Sequence, residues 1–414
     1  MILLANPLGY RAAAFTRAAT RLGLPVVPAF DLPDALDNRW GATLPVDFGR
    51  PDEAVARIVA YAEGHPVAAI LSLDDSASLI AARASAVLGF PHNDPDAVEA
   101  ARDKLAMRRA FAAGGVPVPA FRGFRLNADP DTLTRELGPV DFPCVVKPTM
   151  LNGSRGVIRA DDPAQLARAF LRTRDLLLTE AVAPETEGII VEGYLPGVEV
   201  ALEGLMTDGR LTVLALFDKP DPLEGPYFEE TIYVTPSRRA ESVQTEIAAM
   251  TERAAAAVGV RHGPIHAELR INNRGVWPIE LAGRSIGGLC STILEFGTGM
   301  SLEELILTHA VGEMGMATER RGGASGVIMI PIPKRGVLKA VDGQEAALAV
   351  PGITGLEITA KLNYPIVPLP EGASYLGFIF ARGEMPEHVE AALRAAHAAL
   401  AIRIDPMLTM RQID

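Results

Sequence analysis

The chain has 414 residues, 49% apolar and 22% charged, which is material for two to four domains with sizeable cores. A formal net charge of −12 argues against nucleic acid or an anionic membrane surface as partner, yet leaves room for an anionic ligand in a locally positive cleft. Cys144 and Cys290 have neither disulfide-framework nor metal-ligand spacing, no apolar run approaches the ~18 residues of a membrane span, and the amino terminus lacks a signal-peptide core, so a cytoplasmic protein is expected.

The first hundred residues alternate strand and helix signals. MILLANP (1–7), LPVVPAF (24–30) and VAAILSL (67–73) read as strands; YRAAAFTRAATRLG (10–23), DEAVARIVAYAEG (52–64) and DSASLIAARASAVLG (75–89) read as helices. That alternation predicts a parallel sheet covered on both faces. No G-x-G-x-x-G follows the first strand, so this Rossmann-like unit carries no dinucleotide fingerprint. Residues 94–121 read as one long helix with an Asp start, a Gly114-Gly115 stop and then prolines.

From about Phe124 the pattern becomes α+β. FPCVVKP (142–148) is a strand, TMLNGSRGV (149–157) a glycine-bearing loop, and residues 162–178 a helix from an Asp-Pro cap. Residues 188–220 make two or three strands with Asp208-Gly209 as a hairpin turn. DPLEGPYFEETIYVTPS (221–237) reads as a polar lid, with residues 219–236 expected to be mobile without ligand. After a helix at 241–259 comes a hairpin around NNRG, then a helix near 301–313. A smaller block from about 322 alternates strands with a final amphipathic helix, PEHVEAALRAAHAALA (386–401).

Three stretches carry chemistry. In WPIELAGRSIGG (277–288), Glu280 and Arg284 stand four residues apart ahead of a glycine pair, and a structural salt bridge at a strand end is the plain alternative. If the NNRG loop is the three-residue kind, Asn272 pairs with Val276 and Glu268 lies opposite Glu280. Opposed carboxylates call for a divalent cation or a shared proton, and Mg²⁺ typically takes one or two carboxylates plus substrate phosphates. A register shifted by one would instead split the pair across two faces. Lys147 closes an apolar strand, ordinarily a surface position, but NGSRG (152–156) follows at once and Lys104 lies on the preceding helix. Backbone N–H groups near Gly153 and Ser154 suit phosphate oxygens. In IIVEGYLPGVEV (189–200), the run Glu192 to Leu195, with Tyr194, offers amides beside an apolar surface that suit a purine, and Glu199 suits ribose hydroxyls; an ordinary strand–turn–strand is the alternative.

Taken in order, the strand-ending lysine, glycine loop, VEGYLPGVE, polar lid and E-(x)11-E with an arginine four residues on resemble the ATP-grasp superfamily over about residues 1–315. DKLAMRRAFAAGGVPVPAF, DKPDPLEGPYFEETIYVTPS and HAELRI…PIELAGRSIGG look most like the carboxylate–amine ligases typified by L-amino acid ligases. The resemblance implies a mixed α/β and α+β architecture. It comprises a Rossmann-like pre-ATP-grasp domain (1–95), a nucleotide-binding region (96–315) and a small C-terminal α+β domain (316–414). It implies that Lys104, Lys147, Gly153 and Ser154 meet ATP phosphates. Glu192, Tyr194 and Leu195 would meet adenine, and Glu199 the ribose. Glu268 and Glu280 would hold Mg²⁺ (two ions, with Mn²⁺ an alternative metal), and Arg284 would face the transferred phosphoryl group.

One departure stands out: Ala282 occupies a position where the family usually has Asn. The implied reaction joins a small-molecule carboxylate and an amine through an acyl phosphate, with release of ADP and phosphate. A bicarbonate- or formate-activating relative and a non-catalytic nucleotide-binding regulator are the competing readings. The stretch after Gly288, the lid and His266 are expected to line the substrate pocket. The sequence selects neither the acid nor the amine, and a homodimer is as admissible as a monomer.

Overall fold

A computed structural model describes residues 1–6, 10–32, 44–313 and 315–407. The first unit holds β1 (Ile2–Ala5), α1 (Tyr10–Leu22), β2 (Val27–Asp31), β3 (Leu44–Val46), α2 (Pro51–Gly64), β4 (Ile70–Ser72) and α3 (Ser78–Leu88). Its four strands run parallel in the order β3-β2-β1-β4, as the alternating pattern requires.

The expected long helix at 94–121 is two helices, α4 (Pro95–Arg102) and α5 (Lys104–Ala113). Asp103 breaks them: it is extended, and its carboxylate accepts from the Ala106 amide as the N-cap of α5. The break places Lys104 at the first turn of α5, where its own amide donates to the Thr149 carbonyl.

Next come β5 (Phe121–Phe124), α6 (Leu133–Glu136), β6 (Cys144–Pro148), β7 (Ile158–Ala160), α7 (Pro163–Thr179) and β8 (Ile189–Gly193). They form a small antiparallel sheet, β5-β8-β6-β7, with α7 started by Asp162 as its composition predicts. The larger sheet begins with β9 (Val198–Thr207), β10 (Arg210–Asp218), β11 (Ile232–Thr235), α8 (Glu241–Val258), β12 (Gly263–Asn272) and β13 (Gly275–Ala282). Asp208 and Gly209 turn β9 into β10 with φ of 52° and 85°, the left-handed pair that suits a two-residue hairpin.

The chain continues with α9 (Leu302–Ala310), β14 (Ala324–Ile330), β15 (Gly336–Asp342), α10 (Gln344–Leu348), β16 (Ile353–Ile358), β17 (Pro365–Ile366), β18 (Gly377–Gly383), α11 (Pro386–Ala398) and β19 (Ala401–Asp405). The large sheet has eight strands in the order β13-β12-β9-β10-β11-β14-β18-β16, so residues beyond 315 complete it. This corrects the lid: Ile232–Thr235 is a buried strand pairing β14, and Lys219 is 4% exposed, which leaves only residues 220–231 as loop. Even that loop is docked, since Arg159 at the edge of the small sheet donates its amide to the Pro226 carbonyl.

One face of the large sheet is sealed by α5 and α8, with Phe111, Ile247 and Leu269 fully buried among them. Burying such side chains stabilises by roughly 1.5–3 kcal/mol each. At the end of α9, His309 packs against His262 with the rings tilted by 33° and their centroids 4.7 Å apart, and its Nε2 lies 2.8 Å from the Thr207 hydroxyl. Burial, then the neighbouring imidazole, pushes the His309 pKa down to about 4 from a usual 6.5, and burial lowers His262 as well. The fold therefore holds these rings neutral, whereas the unfolded chain protonates near 6.5. Their contribution is complete above that pH and is lost as pH falls toward 4. The thermal midpoint should drop across this window, and His309→Gln should flatten the drop; an unchanged slope would show that the pair does not carry it.

Candidate active site

The two antiparallel sheets face one another across a cleft that opens to solvent at its mouth. Every residue singled out from the sequence lines it: Lys104, Lys147, Gly153, Ser154, Glu192, Tyr194, Leu195, Glu199, Glu268, Glu280 and Arg284. His266 and Ala282 line it too.

The opposition of Glu268 and Glu280 is real, but it arises differently from the expected register. The hairpin loop is one residue tighter, with Asn272 pairing Gly275 instead of Val276. That register alone would set Glu268 opposite Ile279. A β-bulge at Ile279 absorbs one residue, so Glu268 meets Glu280 and His266 meets Ala282. The bulge restores what the loop removes.

The small-sheet side of the cleft is organised by a buried arginine. Arg108, on α5 and 1% exposed, donates from Nε to Glu192 Oε2 at 2.7 Å and from Nη2 to Glu192 Oε1 at 3.2 Å. Its Nη2 also reaches the Ile279 carbonyl of the large sheet at 2.6 Å. Lys147 Nζ sits 2.6 Å from Glu192 Oε1. Burial alone would raise the Glu192 pKa, but the two cations hold it down to about 2. Glu192 is therefore an ionised anchor for Lys147. The amides beside it are also engaged, Gly193 to the Ala120 carbonyl and Tyr194 to the Pro143 carbonyl, which corrects the expectation that these two are offered to a ligand. The Tyr194 ring lies between Arg159 and Arg270, 4.3 and 5.3 Å from their guanidinium carbons.

The large-sheet side is acidic. Glu199, Glu230 and Glu268 each offer an oxygen within 4.8 Å of the others. Lys219 Nζ lies among them, 2.8 Å from Glu199, 3.2 Å from Glu268 and in short contact with Glu230. Burial would push Lys219 down, but the three carboxylates, Glu199 foremost, hold its pKa well above the usual lysine value. Burial and the Glu268 charge raise Glu230 to about 7, while Lys219 keeps Glu268 well below the ordinary range despite burial. Glu199 also accepts from Arg270 Nε at 2.8 Å, so both its oxygens already carry a cationic partner. Glu280 lies 3.4 Å from Lys104 Nζ, which itself donates to the Leu151 carbonyl at 2.8 Å.

Arg284 donates from Nε to Asp75 Oδ2 at 2.7 Å, and Asn152 of the glycine loop donates to the same oxygen at 3.0 Å. Burial alone would raise the Asp75 pKa, but the Arg284 charge and hydrogen bond, with the Arg11 and Arg102 charges, together hold it below its usual value. The sequence reading missed Arg108, Lys219, Glu230, Arg270 and Asp75. Two had a local signal: Arg270 alternates with His266 and Glu268 on one strand face, and Lys219 follows an apolar strand just as Lys147 does.

Comparison with known proteins agrees with this geometry. Residues 140–293 match the ATP-grasp domain, 15–92 the ATP-grasp N-terminal domain, and 328–405 the L-amino acid ligase C-terminal domain 2. The chain belongs to the ATP-grasp superfamily. Its structure is similar to that of L-amino acid ligase from Bacillus licheniformis, at a TM-score of 0.82, 25% identity and 98% coverage of both chains. In sequence it is 28% identical over 279 residues to alanine–anticapsin ligase from Bacillus subtilis (strain 168), covering 63% of this chain and 58% of that enzyme. It is 27% identical over 231 residues to D-alanine–D-alanine ligase from Gloeobacter violaceus, covering 53% of this chain and 72% of that enzyme. These relatives are ligases, and the fold and cleft are consistent with an ATP-dependent carbon–nitrogen ligase.

Arg108 bears on both stability and the orientation of Lys147. Arg108→Met leaves the buried Glu192 with one cation in place of two, and such a loss typically costs about 3 kcal/mol. Denaturant unfolding should report a loss of that size, whereas the adjacent exposed Arg109→Met should cost under about 1 kcal/mol. Equal losses in the two variants would contradict the assignment.

Proposed function

We propose that the protein is a carboxylate–amine ligase that uses ATP to join small, amino acid-like substrates through an acyl phosphate. The observation that carries this reading is one cleft that gathers Lys104, Lys147, the opposed Glu268 and Glu280, and Arg284, with Lys104 reaching Glu280 at 3.4 Å. An apolar patch of Val145, Val157 and Phe228 beside Leu195 suits the face of an adenine. Lys104, Lys147 and the amides of Gly153 and Ser154 would bind the phosphates.

The donor set fits Mg²⁺. Glu268 and Glu280 are hard oxygen ligands facing one cleft, with side chains 21% and 30% exposed. When bound, the ion would neutralise charge on the β- and γ-phosphates. Ala282 offers no ligand atom at the usual Asn position, so water would fill that place.

A substrate carboxylate oxygen attacks the γ-phosphorus of ATP, forming the acyl phosphate and breaking the bond to ADP. A neutral amine then attacks the acyl carbon, phosphate departs with the C–O bond pair, and the nitrogen gives up a proton. Phosphoryl transfer asks mainly for positioning and charge neutralisation. Arg284, oriented by Asp75, would meet the charge that develops on the phosphoryl and acyl oxygens. Glu199, Lys219 and Arg270 form the deeper polar floor, where the ribose and the inner phosphate oxygens would lie.

Purified protein with ATP, Mg²⁺ and pooled amino acids should release ADP and phosphate in step with amide formation. ADP release that answers only to bicarbonate would favour the carboxylase-like reading, and no turnover in any pool would contradict catalysis. Under the same assay Ala282→Asn should lower the Mg²⁺ needed for half-maximal rate, and Glu280→Gln should nearly abolish turnover. An active Glu280→Gln enzyme would overturn the metal assignment.

A further inference from the structure

Residues 367–375, between β17 and β18, form a strap that crosses from the C-terminal part of the chain to the small sheet. A tight turn starts it: the Gly372 amide donates to the Pro368 carbonyl at 2.9 Å, and a Cβ at Gly372 would meet the Val367 oxygen at 1.9 Å. Within that turn the strap grips the glycine loop. The Gly156 amide donates to the Pro370 carbonyl at 2.7 Å, and Arg155 Nε donates to the Glu371 carbonyl at 2.9 Å. The Glu371 carboxylate takes the Arg172 guanidinium of α7 through two bonds, Nε to Oε1 and Nη2 to Oε2, the latter at 3.0 Å. One residue along the same helix, Thr173 donates its hydroxyl to the Gly156 carbonyl at 2.9 Å. The end of the loop is thus clamped between strap and helix.

The clamp matters because of the backbone it fixes. Gly153, Ser154 and Gly156 all have φ between 57° and 73°, a left-handed conformation open to the glycines among other choices and sampled sparsely by Ser154 unless it is restrained. Fixing such a loop only when ligand arrives would weaken binding; fixing it beforehand does not. Tyr375, three residues past the turn, lines the same cleft.

We propose that Glu371 is a positioning residue for the nucleotide. Through Arg172 and its own backbone it holds residues 152–156 in the conformation that receives phosphates, so that the C-terminal part of the chain completes the ATP site. This rests on the reading of that loop as a phosphate cradle. The pair is partly exposed, at 44% for Arg172 and 28% for Glu371, so its removal should leave the fold intact.

Calorimetric titration of the full chain with a non-hydrolysable ATP analogue, in the presence of Mg²⁺, tests it independently of ligase turnover. Glu371→Ala and Arg172→Ala should each raise the analogue Kd by up to about fivefold, the scale of an exposed bidentate pair. The double variant should be no weaker than Arg172→Ala, which removes the shared pair along with the Arg172 contact to Tyr227. Adenosine, which lacks phosphates, should bind all forms alike, and the thermal midpoints should stay within a few degrees of wild type. Unchanged analogue affinity in the folded variants, or an equal loss for adenosine, would overturn the role of Glu371. Failure of the wild-type chain to bind the analogue would instead overturn the nucleotide reading itself.

Discussion

A guanidinium on α5 is shared between the two sheets that form the cleft. Arg108 grips the Glu192 carboxylate of the small sheet and the Ile279 carbonyl of the large one, and both charged partners are almost wholly buried. A buried ion pair contributes little net stability when complete and costs much when broken. Its value here lies in geometry. Glu192 stays ionised, Lys147 is held by it at 2.6 Å, and the bulged Ile279 that carries Glu280 into register is tied to the same arginine. Lys147 and the strand segment that carries Glu280 are thus both tied to one side chain.

The cleft as a whole is polarised by charges that do not cancel locally. On the small-sheet side two cations, Arg108 and Lys147, surround one carboxylate, leaving positive charge facing inward. On the large-sheet side Lys219 and Arg270 meet Glu199, Glu268 and the partly protonated Glu230, and Glu280 adds a further carboxylate, leaving negative charge. A polyanion that carries its own divalent cation complements both excesses at once. That is how an acidic chain accommodates a nucleotide: the overall charge of −12 is a property of the surface, and the field in the cleft is set by a few buried groups.

Much of this was legible where the information is local. The hairpin HAELRI…WPIELA exposed Glu268 and Glu280 because strand alternation fixes which residues share a face, and the family order of the glycine loop, hinge and acidic hairpin carried the fold. The loop length was misjudged by one residue, and the pairing survived only because an unforeseen bulge at Ile279 compensates. Arg108 was invisible: Arg108 and Arg109 are adjacent and chemically identical, and only the rotation of α5 sends one into the core and the other to an exposed pair with Glu187. The helix break at Asp103 was hidden by its alanine-rich flanks. The strand Ile232–Thr235 was masked by neighbouring prolines, although its β-branched run was a signal. The union of β14, β16 and β18 with the large sheet depends on pairing between distant residues, which no local pattern encodes.

The proposed ligation requires that the substrate carboxylate itself attack the γ-phosphorus of ATP. Supplying an acid substrate labelled with ¹⁸O in both carboxylate oxygens, and analysing the phosphate released during amide formation by mass spectrometry, tests this most directly. The account predicts one ¹⁸O transferred into inorganic phosphate per amide formed. Phosphate free of the label, or label appearing in AMP, would contradict it.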